Sequence, residues 1–167
     1  MKTLTIRFLV PIVVFTVAYS QGQPSPRSRV DIYSTALIEA SKEMEKQWAN
    51  LSPDQSQTTT DYKHLLVYKD ESVRATYPDA AGGRRYEYLT HAQLLARRRN
   101  AKKDFSVLTV SPAIVERPRI KVVAALDWVS LVKGHLGLGM SDWADVFFRF
   151  DCQNGEFRFD QVKLGGI

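Results

Sequence analysis

An asparagine–glycine pair with an alternating run on either side leaves a chain few ways to fold. Here Asn154-Gly155 lies inside WADVFFRFDCQNGEFRFDQVKL, the stretch from Trp143 to Leu164. Both residues tolerate φ > 0, as a two-residue type I′ hairpin turn requires. Such a turn sets Gln153 opposite Glu156, Cys152 opposite Phe157, Asp151 opposite Arg158 and Phe150 opposite Phe159. Farther out it sets Arg149 opposite Asp160, Phe148 opposite Gln161 and Val146 opposite Lys163. One face then carries Val146, Phe148, Phe150, Phe157 and Phe159, with Gln161 and Lys163 as the polar members of that side. The other face carries the ion pairs Asp151–Arg158 and Arg149–Asp160. A slip of one residue would exchange the two faces. Cys152, the single cysteine, falls on the inward row and is expected to be buried; no intrachain disulfide can form.

The remaining chain is read around this hairpin. Lys2 and Arg7 precede an apolar run from Phe8 to Val17, and Ala18-Tyr19-Ser20 has the small-x-small form of a cleavage site. Residues 1–20 therefore read as a signal peptide, too short in its apolar part to stay as a membrane span. A secreted or periplasmic protein is expected. Without Lys2 and Arg7 the formal charge of +5 falls to +3, weak grounds for nucleic-acid binding, and none is expected. Residues 21–29, rich in Pro, Ser and Gln, read as a flexible leader, and 30–167 as one domain. Asn50-Leu51-Ser52 fits a glycosylation acceptor, although Pro53 follows it.

Tyr33, Leu37, Ala40, Met44, Trp48 and Leu51 recur at helical spacing, and Pro53 ends that helix. Asp61 to Asp70 reads as a second, shorter helix. Ser72 to Tyr77 and Arg84 to Tyr88 read as a short hairpin across Gly82-Gly83. The third helix starts at Thr90, where Thr90 and Gln93 have capping-box spacing and Leu89 and Leu94 that of a hydrophobic staple. Arg97, Arg98 and Arg99 close it, complementing the helix dipole. Phe105 to Val115 is β-rich, with Pro112 marking an edge or bulge. Ile120 to Val132 is apolar on both faces: one row holds Ile120, Val122, Ala124, Leu126, Trp128 and Val132, the other Val123, Ala125, Val129 and Leu131 around Asp127. Both faces need a cover, and a homodimer through the outer sheet face is the expected one. Lys133 to Met140 reads as a glycine-rich loop.

This order, with texture such as DVFFRFDCQNGEFRF, resembles the nuclear transport factor 2-like, or SnoaL-like, superfamily. The resemblance implies an α+β fold: a curved, mostly antiparallel sheet of about six strands wrapped around three helices from the N-terminal half, enclosing a cone-shaped cavity. Its ketosteroid isomerase members place a carboxylate base just before a proline, where Tyr77 stands here before Pro78. They also use a protonated aspartate at the position that matching FRF to Phe148-Arg149-Phe150 gives to Val146. That proton shuttle is not carried over.

No metal-ligand spacing links His64, His91 and His135, and no cofactor is implied. Asp142 continues the inward row of Ala144, Val146 and Phe148 toward the mouth of the cone. Asp142, His91 and Tyr77 are the catalytic candidates. Gln161, Lys163, Asp142, Tyr62, Tyr88 and Phe148 are the ligand-binding candidates. Such a cavity would hold a small apolar or amphipathic ligand, with Lys163 favouring an acidic group on it. Acid–base lyase, isomerase or hydrolase chemistry on a small apolar substrate is the alternative.

Overall fold

The computed structural model describes residues 31–49, 61–73, 75–101 and 103–166. The signal peptide, the leader, Asn50 and the Pro53 helix stop lie outside them. The helix α1 (Ile32–Ala49) comes first, capped by Asp31, whose carboxylate accepts from the Tyr33 N–H at 3.0 Å and the Ser34 hydroxyl at 3.0 Å. Then follow β1 (His64–Tyr68), β2 (Ala80–Ala81), β3 (Arg84–Leu89), the helix α2 (His91–Asn100), β4 (Ser106–Val110), β5 (Ile114–Glu116), β6 (Arg119–Val132), β7 (His135–Asp151) and β8 (Glu156–Gly166). All eight strands form one sheet in the order β2-β3-β1-β4-β6-β7-β8, with β5 on β6 beyond the end of β4. The sheet is mixed, since β1 runs parallel to both β3 and β4.

This corrects the expected fold class. Among the described residues there are two helices and eight strands, against the expected three and about six. The difference lies mostly in Asp61 to Asp70. Leu65 and Val67 are buried in the α1 layer, whereas Leu66 and Tyr68 pack with α2 on the other face. That alternation has period two, so HLLVY is a central strand covered on both sides rather than a helix. Ser72 to Tyr77 forms no strand among its described residues. The short hairpin is instead β2–β3, turning through Gly82 and Gly83 at φ 58° and 78°.

The two faces of the sheet have separate cores. Ala36, Leu37, Ala40 and Met44 of α1 lie against Leu65, Val67, Leu108, Val110, Ile120, Val122, Ala124, Leu126, Ala144, Val146 and Phe148, all at most 7% exposed. On the outer face Leu94 of α2 meets Leu89, Val107 and Val129, with Leu66, Phe105 and Leu136 around them. The Thr90–Gln93 capping box is present, and Leu89 and Leu94 meet as the staple spacing requires. The arginine run is used to dock this helix. Arg97 donates to Glu87 at 2.6 Å, and Arg98 donates to the Val129 carbonyl at 2.9 Å and to Asp104 at 2.5 Å. The outer row of β6 thus has a cover within its own chain at Val129, while Leu131, Leu138 and Met140 stay exposed.

The glycine-rich stretch after β6 is strand as well. Val132 pairs with His135 across Lys133-Gly134, at φ 50° and 83°. The two-residue turn with φ > 0 at both positions is therefore this one. At Asn154-Gly155 the loop has four residues, Cys152 to Gly155, with Asp151 opposite Glu156. Asp151 causes the change. Its carboxylate accepts from the Gln153 N–H at 2.9 Å and from the Asn154 side-chain amide at 2.7 Å, while its carbonyl accepts from the Gly155 N–H at 2.8 Å. An Asx turn replaces the type I′ turn, and Cys152 is left exposed at the tip.

The register then differs from the expected one by two places, which keeps the faces. Phe148 pairs with Phe159 and Phe150 with Phe157. Beyond them the pairing resumes at Phe147 with Gln161, so Asp160 is an extra residue in β8. That bulge shifts parity by one and exchanges the faces of everything after it. Val162 goes inward beside Val146, and Gln161 and Lys163 go outward beside Phe147 and Asp145. The two expected ion pairs survive on the outer side, Arg158–Asp151 at 2.9 Å and Arg149–Asp160 at 3.4 Å.

Candidate functional site

The inner core is apolar until the C-terminal turns of α1, where Ser41 and Glu45 flank Met44. Ser41 is fully buried; its hydroxyl lies 3.1 Å from the Tyr86 hydroxyl and 3.0 Å from the Ile38 carbonyl. Glu45 forms an ion pair with Arg84, which also donates to the Gly82 carbonyl at 3.0 Å. Arg84 Nε is buried with no hydrogen-bond partner among the described residues. The same holds for the hydroxyl of Tyr62, just before β1, and for Oδ2 of Asp142 on β7. The Arg85 N–H donates to the Lys63 carbonyl at 2.9 Å, which fixes Arg84 beside the Tyr62 segment.

Asp142 is 8% exposed and pairs with Leu126 on one side and Gly166 on the other. A Cβ at residue 166 would stand 2.7 Å from Asp142 Oδ1, so a glycine there makes room for the carboxylate. Burial raises the pKa of Asp142, with the Ser141 hydroxyl acting in the opposite sense. Burial also pushes up the Tyr62 phenol, aided by the negative charges of Asp142 and Glu45. The segment before β1, together with β7, α1 and β3, thus delivers Tyr62, Asp142 and the Glu45–Arg84 pair to one end of the inner layer. Three of these groups, Tyr62, Asp142 and Arg84, carry unused hydrogen-bonding capacity in a low-dielectric setting.

Next to this corner the sheet opens. β1 and β4 pair at a single position, Val67 with Leu108, whereas β1 and β3 pair at five. A cavity of about 170 Å³ fills the splay, lined by Asp61, His64, Leu65, Leu66, Arg97, Phe105, Ser106 and Leu126. It adjoins the polar corner twice: Asp61 precedes Tyr62, and Leu126 is the cross-strand neighbour of Asp142. Ser106 Oγ is a further buried atom without a partner among the described residues.

The expected site residues therefore separate. Asp142 and Tyr62 come together. Tyr77 and Tyr88 stack at 5.4 Å near the other end of α1, where the Tyr88 hydroxyl donates to the Pro78 carbonyl at 2.6 Å. There burial pushes the Tyr77 phenol up to about 12, with the Asp31 charge second. His91 opens α2 on the opposite face of the sheet, exposed, 6.4 Å from the Tyr68 ring. Phe148 is fully buried core. Gln161 lies on the outer face, as does Lys163, whose ammonium sits 5.5 Å over the Phe147 ring. Glu45, Arg84, Ser41 and Ser106 were missed. For Ser41 and Glu45 a signal existed: they stand four apart along the apolar stripe of α1.

Among the described residues, no group of three His, Cys, Asp or Glu side chains is placed to hold a metal ion, and no helix is long and apolar enough to cross a membrane. No protein-family model matches the chain, and no significant match exists among curated proteins or solved structures.

Proposed function

We propose that the chain is a small-molecule-binding domain whose site is the polar corner of Tyr62 and Asp142 together with the cavity between β1 and β4. One observation carries this reading: two buried polar atoms from different parts of the chain, Tyr62 Oη and Asp142 Oδ2, lack partners among the described residues, and they lie near enough for the Asp142 charge to raise the Tyr62 phenol. Leaving such groups unsatisfied costs about 1–3 kcal/mol each. A ligand that accepts from the tyrosine and donates to the aspartate removes that cost. The apolar walls Leu65, Leu66, Phe105 and Leu126 suit the body of an amphipathic molecule. Native mass spectrometry of gently purified protein is expected to reveal a bound small molecule that Asp142→Asn or Tyr62→Phe depletes. Equal occupancy in both variants would refute the assignment.

Acid–base catalysis on the bound molecule is a second reading, favoured by the raised pKa of Asp142 beside a phenol. A turnover lost in Asp142→Asn with binding retained distinguishes it from binding alone. We also propose that the protein is exported, on the strength of the basic, apolar and small-residue pattern of residues 1–20. The purified protein should begin near Gln21; a soluble product still starting at Met1 rules export out.

A further inference from the structure

We infer that the ligand of this end of the molecule is a cation: a small amine on an apolar body about the size of one ring. The inference rests on the binding reading above and adds to it the charge and size of the ligand. Four carboxylates lie in or beside this end: Asp61 lines the cavity, Glu87 pairs with its lining residues Arg97 and His64, and Asp142 and Glu45 act on Tyr62, the neighbour of Asp61. Glu45 is neutralised by Arg84. Glu87 is held by Arg97 at 2.6 Å and by His64 at 3.6 Å. Asp142 and Asp61 have no ion-pair partner among the described residues, and Asp142 is the one that is 8% exposed. Lys63, the nearest lysine in the chain, is exposed and makes no ion pair among the described residues. The bulge at Asp160 sends Lys163 to the outer face, which removes the cation the sequence had placed on this side. A buried carboxylate without a counter-ion is costly, and an ammonium beside it relieves that cost through both charge and hydrogen bonding.

An anionic ligand meets the opposite situation. It would face Asp142 and Asp61, and the guanidinium charges of Arg84 and Arg97 are already engaged. Arg84 Nε still offers one buried donor, so a hydroxyl or carbonyl elsewhere on the amine would find a partner. Size follows from the cavity of about 170 Å³. An apolar cavity of about 150 Å³ holds a benzene ring, and Phe105 with three leucines supplies the matching wall.

Benzylamine, benzyl alcohol and benzoate share the ring and differ in charge. Titrated into the full-length protein and followed by calorimetry, benzylamine is expected to bind at least tenfold more tightly than benzyl alcohol, with benzoate weakest. Asp142→Asn should abolish the advantage of the amine, bringing benzylamine and benzyl alcohol within about twofold of each other. Asp61→Asn should reduce that advantage by a smaller factor. The wild-type comparison alone decides the matter if a variant fails to fold. Equal binding of amine and alcohol, or preference for benzoate, overturns the cation assignment while leaving a binding site in place. Absence of binding by all three probes at millimolar concentration overturns both readings.

Discussion

Replacing a buried hydroxyl that has no partner with hydrogen removes a desolvation cost and loses no hydrogen bond. Tyr62 presents that situation among the described residues. Tyr62→Phe should therefore raise stability, by about 1 kcal/mol, seen as a higher urea midpoint at unchanged slope; a drop of that size would mean the hydroxyl is paired in solution. Asp142 adds a pH dependence. Its folded pKa lies above the unfolded value, so the folded state binds more protons just above the ordinary aspartate range. Stability attributable to this group is highest below that range and falls as pH rises through the raised pKa. Asp127, buried beside the Thr109 hydroxyl at 2.6 Å, acts in the same direction. Asp151 acts in the opposite direction, its pKa lowered first by the Asn154 side chain and then by the Gln153 N–H. At this scale the sequence was partly legible. Asp142 was found because it continues an apolar row. Glu45 and Arg84 were hidden because a charged residue on a helix or a short strand is ordinarily solvated.

The β7–β8 hairpin shows what an element conceals. The row its phenylalanines share could be read from alternation alone, because a two-place register error preserves parity, but only Phe148 of that row is fully buried, whereas Phe150 and Phe159 near the hairpin end stay exposed. The single extra residue at Asp160 could not be read, since nothing in FRFDQVKL distinguishes a bulge from a continuous strand. Yet that residue decides which side Lys163 occupies. Phe148→Ala should cost about 3–5 kcal/mol, because the side chain is fully buried against Phe159 and the inner core. Lys163→Ala and Gln161→Ala should change stability by less than about 0.5 kcal/mol and leave ligand binding unaltered. Chemical denaturation of the three variants checks this, and a Lys163 variant that loses ligand would restore the inward placement. The second helix failed for a related reason. HLLVY is apolar on successive positions, and so short a run fits either element until its neighbours are known.

Across the whole molecule, the strand-rich C-terminal half was legible, and so was the helix covering the inner face, but the expected three-helix, mostly antiparallel fold class was not what formed. The sheet order was not. The parallel pairing of β1 with β3 and β4 depends on contacts distant in sequence, and the splay between β1 and β4 that opens the cavity follows from it. The outer face illustrates the same limit. Its apolar row was correctly placed opposite the core, but α2 packs over Val129, and Trp143 pairs with Ala125 above the space left by Gly165. The central claim is that Asp142 is a buried carboxylate, without an ion-pair partner among the described residues, that takes a cationic ligand. Carbon-detected NMR titration of the Asp142 carboxyl, with and without benzylamine, tests it directly. The expected midpoint lies above the ordinary aspartate range in the free protein and drops when the amine is added. An ordinary midpoint that the amine leaves unmoved would contradict the claim.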